Sequence, residues 1–178
     1  TIVCNGETQK FSELVSFFDA IVVDAPCSGS GLFRKQPEAI HEWSESHVNA
    51  CSIRQLKIVQ DLIPALKENG ILFYSTCSYS VEENEQVVEK LLLDFDLELV
   101  EIPLDKTWGI VKTDFGYRFY PHLTNSEGFF CSVLRKRSSE SNGMFQKKKK
   151  TNAIQGAELS FLKNYVDFKN TSLIKINE

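Results

Sequence analysis

The chain has 178 residues, 42% of them hydrophobic and 25% charged, with a formal net charge of −4. That apolar content suffices for one domain with a core, and the acidic balance argues against a uniformly basic nucleic-acid binder while leaving room for a local basic groove. No apolar run approaches the roughly 20 residues of a membrane helix, and no signal peptide opens the chain.

Thr1-Ile2-Val3-Cys4 reads as a short strand with no methionine or leader before it, so a fragment lacking its upstream portion is expected. A polar turn, Asn5-Gly6-Glu7, follows, and then a short helix over 11–17. Residues 19–24 form a Val/Ile-rich strand of the kind buried on both faces of a parallel sheet. Residues 29–43 are loop-like. A helix is expected from about His47 to Lys67, with Val48, Cys51, Val59, Leu62, Ile63 and Leu66 mostly on one face. Ser44 or Ser46 can cap its start, Pro64 should kink or divide it, and Gly70 serves as its C-terminal stop.

A strand over 71–75 comes next, then a helix over about 81–94, with Ser80 and Glu83 at capping-box spacing. Residues 97–102 are another strand, and Tyr117–Tyr120 pairs with Phe129–Leu134 as an antiparallel hairpin. This order predicts an α/β fold, a mostly parallel sheet with an antiparallel end. Residues 138–152, with four consecutive lysines at 147–150, read as a flexible linker, and 153–178 as the start of an incomplete second domain or a segment docked on the first.

The five cysteines, at 4, 27, 51, 77 and 131, include no C-x-x-C pair. Their odd number and spacing fit neither a disulfide framework nor a zinc site, so no metal is expected and the setting reads as reducing and cytoplasmic. Two of them occupy matching places. Cys27 follows the strand ending at Asp24, in Ala25-Pro26-Cys27-Ser28-Gly29-Ser30-Gly31, and Cys77 follows the next strand, in Ser75-Thr76-Cys77-Ser78-Tyr79. If the strands are parallel neighbours, both thiols reach the sheet edge where open α/β folds place ligands. Free cysteine is often merely a buried small hydrophobe, and Cys4, Cys51 and Cys131 keep that reading. Cys27 and Cys77 stand in turn-forming, polar flanks, and a helix beginning near Val81 can lower a nearby thiol's pKa.

Asp24, directly after Ile21-Val22-Val23, is costly to bury without partners. It either caps the following turn or holds a bound base or cofactor. Gly29 and Gly31 lack the Lys-Ser/Thr of a P-loop and are better explained as small residues that let a substrate approach the backbone. Arg34, Lys35, Lys112 and Arg118 are either ordinary solvated charges or contacts for RNA phosphates.

Asp24-Ala25-Pro26-Cys27-Ser28-Gly29 and Ser75-Thr76-Cys77-Ser78-Tyr79 resemble motifs IV and VI of the RNA cytosine-5 methyltransferases of the Nop/Sun family. Residues 31–39, Glu82-Glu83-Asn84-Glu85, Arg118-Phe119-Tyr120-Pro121-His122 and Glu127-Gly128-Phe129-Phe130 look like the same family, in its bacterial 16S ribosomal RNA methyltransferase F branch. The likeness covers about residues 1–137 and implies a Rossmann-like class I methyltransferase sheet, of which this is the C-terminal half. It also implies S-adenosylmethionine as cofactor and RNA as partner, 16S ribosomal RNA or the small ribosomal subunit, for a monomeric enzyme. By resemblance Cys77 is the nucleophile that attacks carbon 6 of cytosine, and Cys27 assists breakdown of the adduct. Asp24 holds the base edge near the cofactor, and Glu7 stands where the family usually has a cofactor-binding Asp. The family's glycine-rich cofactor loop has no counterpart in this sequence, so weak cofactor binding by the isolated chain is expected. Two other readings are a non-catalytic RNA-binding module and a DNA cytosine-5 methyltransferase using Cys27.

Overall fold

A computed structural model describes residues 8–137, together with the backbone of a short antiparallel pair, 152–153 with 174–175. Residues 1–4, Glu7, most of the expected linker and most of 153–178 lie outside the described residues.

Strand β1, Phe18–Asp24, runs parallel to β2, Leu66–Thr76, with Val22 opposite Phe73 and Asp24 opposite Ser75. A parallel neighbour requires a crossover. Here it contains a four-residue helix, α1 (Ala39–Glu42), and the long helix α2 (Glu45–Leu62). Ser44 Oγ accepts from the His47 N–H at 3.1 Å, which makes Ser44 the cap. Helix α2 buries Val48, Cys51, Gln55, Val59 and Leu62, a stripe at helical spacing.

The helix ends earlier than the sequence predicts. Pro64 cannot continue the α hydrogen-bond ladder, so the chain tightens into a 3-10 turn at Ile63–Ala65 and enters β2 at Leu66. Gly70 is therefore not a helix stop. It lies in an irregular stretch of β2, where the pairing jumps from Phe18–Leu66 to Ala20–Ile71 and Asn69 takes φ 59°.

Helix α3, Glu85–Asp94, packs beside α2, and it begins four residues later than expected. Strand β3 is limited to Leu97–Leu99. Strands β4 (Val111–Lys112), β5 (Tyr117–Phe119) and β6 (Phe129–Lys136) complete the sheet, in the order β1-β2-β6-β5-β4. The expected hairpin is β5–β6, with Arg118 opposite Phe130. Strand β3 pairs with the far end of β6. The sheet is thus mixed: β1–β2 is parallel, and the pairs involving β3 to β6 are antiparallel. The segment expected to be a helix near 11–17 is a 3-10 segment, Thr8–Glu13.

The core lies between the sheet and the two helices. Leu72, Tyr74, Phe130 and Leu134 of the strands meet Val59 of α2 and Val88 and Leu91 of α3, each at most 1% exposed. Among the described residues, only the helix-facing side of β1 is covered. Val23 is 5% exposed, while Val22, on the opposite face, is 73% exposed among the described residues. A strand buried on both faces was expected. The covering helices described here both lie on one face.

Candidate active site

Register brings the two cysteine turns together. The Ala25 N–H donates to Ser75 O at 2.9 Å, extending the β1–β2 pairing by one residue. Beyond it the turns bond reciprocally: Gly31 N–H to Cys77 O at 2.8 Å and Tyr79 N–H to Ser30 Oγ at 2.8 Å. The Cys27 and Cys77 sulfurs lie 2.8 Å apart, both half-buried, and the Cys77 N–H also points at Cys27 Sγ at 3.3 Å.

The pair shares a proton unequally. Its mutual hydrogen bond lowers the Cys77 pKa, against opposition from burial and from the nearby Asp24 and Glu83 carboxylates. The same bond raises the Cys27 pKa, reinforced by burial and opposed by the Gly29 and Cys77 backbone N–H groups. The mutual bond thus favours the thiolate form at Cys77 and the thiol form at Cys27. Cys131 and Cys51 behave as core thiols: burial pushes Cys131 up to about 11 and raises Cys51 as well.

Asp24 stands at the C-terminal end of β1 with its side chain exposed, and Oδ1 accepts from Ser75 Oγ at 3.2 Å. Exposure removes the burial cost anticipated for it. The carboxylate sits on the same sheet edge as the two thiols and remains open to solvent.

Beneath the thiols lies a buried polar cluster that sequence reasoning missed. Glu83, 0% exposed, accepts from Ser28 N–H at 2.7 Å, Ser28 Oγ at 2.5 Å, Ser78 Oγ at 2.6 Å and Gln55 Nε2 at 3.1 Å. Tyr74 Oη donates to Glu83 O at 2.6 Å, and Gln55 Nε2 also reaches Pro26 O at 2.9 Å. Asn84 accepts from Thr76 Oγ1 at 2.5 Å and donates to Ser78 O at 2.8 Å. The Ser80–Glu83 capping box does not form. Asn84 is the N-cap residue of α3, and the Glu83 carboxylate turns inward to the cysteine turns. The available signal was Gln55, a polar residue on an otherwise apolar stripe, together with the serine directly after Cys27 and after Cys77.

The expected RNA-contacting residues divide. Arg34 is exposed, donates to Ser126 O at 3.0 Å, and lines a cleft of about 610 Å³ with Cys77, Phe119, Asn125 and Phe129. Lys35 is exposed and pairs with Glu127 at 3.0 Å, and exposed Lys112 pairs with Glu101 at 2.7 Å. Arg118 is different, being only 7% exposed. Its guanidinium grips Glu85 through two bonds, of 2.6 and 2.5 Å, and donates to Tyr79 O at 3.0 Å. A buried, paired guanidinium supports the Cys77 turn and has no open face for a phosphate.

Gly31 is also reassigned. A Cβ there would lie 2.3 Å from Gly128 O and 2.7 Å from Cys77 O, so the glycine admits neighbouring backbone, not a substrate. Gly29 adopts φ 73°, the left-handed region that glycine enters without strain.

The family model described as "16S rRNA methyltransferase RsmB/F" matches residues 1–135. The ribosomal RNA small subunit methyltransferase F of Erwinia tasmaniensis is 40% identical over 126 residues, which is 68% of this chain and 26% of that protein. The protein of the same name from Aliivibrio fischeri is 37% identical over 127 residues, 68% of this chain and 27% of its own length. Among solved structures, NSun6 from Pyrococcus horikoshii with SFG superposes with a TM-score of 0.64 at 29% identity, covering 76% of this chain and 34% of that one. A methyltransferase homolog protein from Pyrococcus horikoshii gives a TM-score of 0.61 at 33% identity, covering 76% and 44%. The chain spans about a quarter of the length of the curated relatives it matches. Its sheet is that of the Rossmann-like methyltransferases, and the chain belongs to the 16S rRNA methyltransferase RsmB/F family.

Proposed function

We propose that residues 1–137 are the C-terminal part of the catalytic domain of a ribosomal RNA methyltransferase that modifies carbon 5 of cytosine through a covalent Cys77 adduct. The observation that carries this reading is the thiol pair: two sulfurs 2.8 Å apart, with Cys77 lowered and Cys27 raised in pKa. Carbon 5 of cytosine is a poor nucleophile. Addition of the Cys77 thiolate to carbon 6 breaks the 5,6 double bond and places its electron pair on carbon 5, activating that carbon for methylation. Transfer of the carbon-5 proton to water then restores the double bond and expels Cys77 as thiolate. Cys27, 2.8 Å from Cys77 and raised in pKa, assists that second stage as a thiol that donates a hydrogen bond to the departing sulfur.

The cleft containing Cys77, Phe119 and Phe129 supplies an entry for a base turned out of its stack, and Arg34 supplies positive charge in its wall, with Lys35 nearby paired to Glu127. S-adenosylmethionine supplies the methyl group. An open carboxylate at the β1 end fits a cationic, hydrogen-bonding ligand, and Asp24 is the described residue that would help to hold it. The relative solved with SFG, an S-adenosylmethionine analogue, supports S-adenosylmethionine as the cofactor. Glu7, the other cofactor candidate, lies outside the described residues.

Cys27→Ala and Cys77→Ala variants of the full-length protein, incubated with small-subunit RNA and cofactor, test the roles. Cys27→Ala is expected to accumulate a denaturation-resistant RNA adduct and Cys77→Ala to form none. The reverse pattern would make Cys27 the nucleophile, as in a DNA-type mechanism. Absence of both adduct and methylation, wild type included, would leave an RNA-binding module.

A further inference from the structure

The thiol pair does not reach its separation through the strands alone. Ser28 follows Cys27 and Ser78 follows Cys77, and one buried carboxylate holds both. Glu83 takes the backbone N–H and the hydroxyl of Ser28 and the hydroxyl of Ser78, and Gln55 adds a donor from α2. Four donors around a 0% exposed carboxylate make a directional tie, since charge-assisted bonds are stronger than neutral ones and an unpaired donor here would find no water. The anchor itself is fixed from behind: Tyr74 Oη holds Glu83 O at 2.6 Å, and Asn84 is bonded to Thr76 Oγ1 and Ser78 O.

We propose that Glu83 is a positioning residue for the proposed reaction: by clamping Ser28 and Ser78 it holds Cys27 against Cys77 so that the adduct can be resolved. It touches neither substrate nor cofactor and acts through the placement of Cys27. The inference rests on the two-thiol reading above. The clamp itself is measurable without RNA, which keeps failure of one distinguishable from failure of the other.

Glu83→Gln keeps the side chain's size but replaces one acceptor oxygen by an amide that faces the donors of Ser28 and Ser78. Ser28→Ala removes one hydroxyl while leaving the backbone donor, and it serves where Glu83→Gln does not fold. The first measurement is alkylation of Cys77 by iodoacetamide against pH in the full-length protein, read on the Cys77 peptide by mass spectrometry. With the thiols separated, the midpoint is expected to rise toward that of an ordinary thiol, further for Glu83→Gln than for Ser28→Ala. The second is the ratio of trapped RNA adduct to methylated product, expected to rise at least tenfold in Glu83→Gln. A merely structural role would lower both adduct and product through loss of folded enzyme and leave their ratio unchanged. An unchanged alkylation midpoint in folded Ser28→Ala and Glu83→Gln overturns the clamp. A shifted midpoint with no adduct in any protein, wild type included, retains the clamp and overturns the covalent reading.

Discussion

Replacing Arg118 with methionine separates a structural cation from an RNA-binding one. The side chains of Arg118 and Glu85 are 9% and 14% exposed. The guanidinium makes two bonds to Glu85, one to Tyr79 O, and lies 5.8 Å from the Phe130 ring centroid. Methionine fills most of the volume but leaves the Glu85 carboxylate and the Tyr79 carbonyl without their donors. Breaking a buried pair on one side costs about 3–5 kcal/mol. Glu85 retains some solvent contact, so the lower end, about 3 kcal/mol, is expected. At roughly 2–4 °C per kcal/mol for a domain of this size, that is about 6–12 °C in Tm.

The double variant, Arg118→Met with Glu85→Gln, removes the stranded charge and is expected to recover all but about 1 kcal/mol, because replacing both partners of a buried pair is often near neutral. Thermal and urea melts of the four proteins of the cycle measure this. RNA binding, followed against salt, should keep its slope in Arg118→Met, since no phosphate contact is lost. The reasoning fails if Arg118→Met melts within about 0.5 kcal/mol of wild type while its salt slope flattens by about 0.7, the value of one lost single-strand phosphate contact.

Gly31→Ala is expected to cost about 2–3 kcal/mol, because the new Cβ meets two backbone carbonyls, Gly128 O and Cys77 O, that cannot rotate away; thermal melts measure the loss. Cys77 alkylation reports the pair's protonation. Thiolate is the reactive form, so a lowered pKa moves the rise in rate to lower pH, and the wild-type midpoint should fall below that of an ordinary thiol. Cys27→Ala deletes the main cause of the lowering and should shift that midpoint upward. Arg34→Ala is expected to flatten the salt slope of RNA binding by about 0.7 with little change in Tm, since the exposed guanidinium is held among the described residues by a bond to Ser126 O.

The placement of both thiols on one sheet edge was legible because it needs only two apolar runs, a helical stripe between them and a rule about parallel strands. The hairpin was legible from its aromatic runs and short polar connection. The start of β2 was not: Leu66 falls in step with the α2 stripe, and only the block at Pro64 moves it into the sheet. Arg118 was misread for a related reason. A basic residue in a strand near the site looks the same in sequence whether it faces solvent or a buried carboxylate, and here Glu85, 33 positions away, decides which. Glu83 was hidden because Ser-x-x-Glu is also a helix-start signal, and the competing partners, Ser28 and Gln55, are 55 and 28 residues distant.

Sheet geometry and loop packing contribute differently to the thiol pair. Adjacent strands lie about 4.8 Å apart, a separation that places two turns side by side without bringing their side-chain atoms into contact. The sulfurs are 2.8 Å apart. The difference is made up beyond the strand ends, where Gly31 meets Cys77 O and Gly128, and where Glu83 draws Ser28 and Ser78 onto one carboxylate. At that distance the two thiols can hold one proton between them, and whichever sulfur gives it up becomes the better nucleophile. The asymmetry between Cys27 and Cys77 is thus a property of the closed turns. A change that preserves both cysteines and the sheet but loosens the turns should abolish the asymmetry and leave two ordinary thiols.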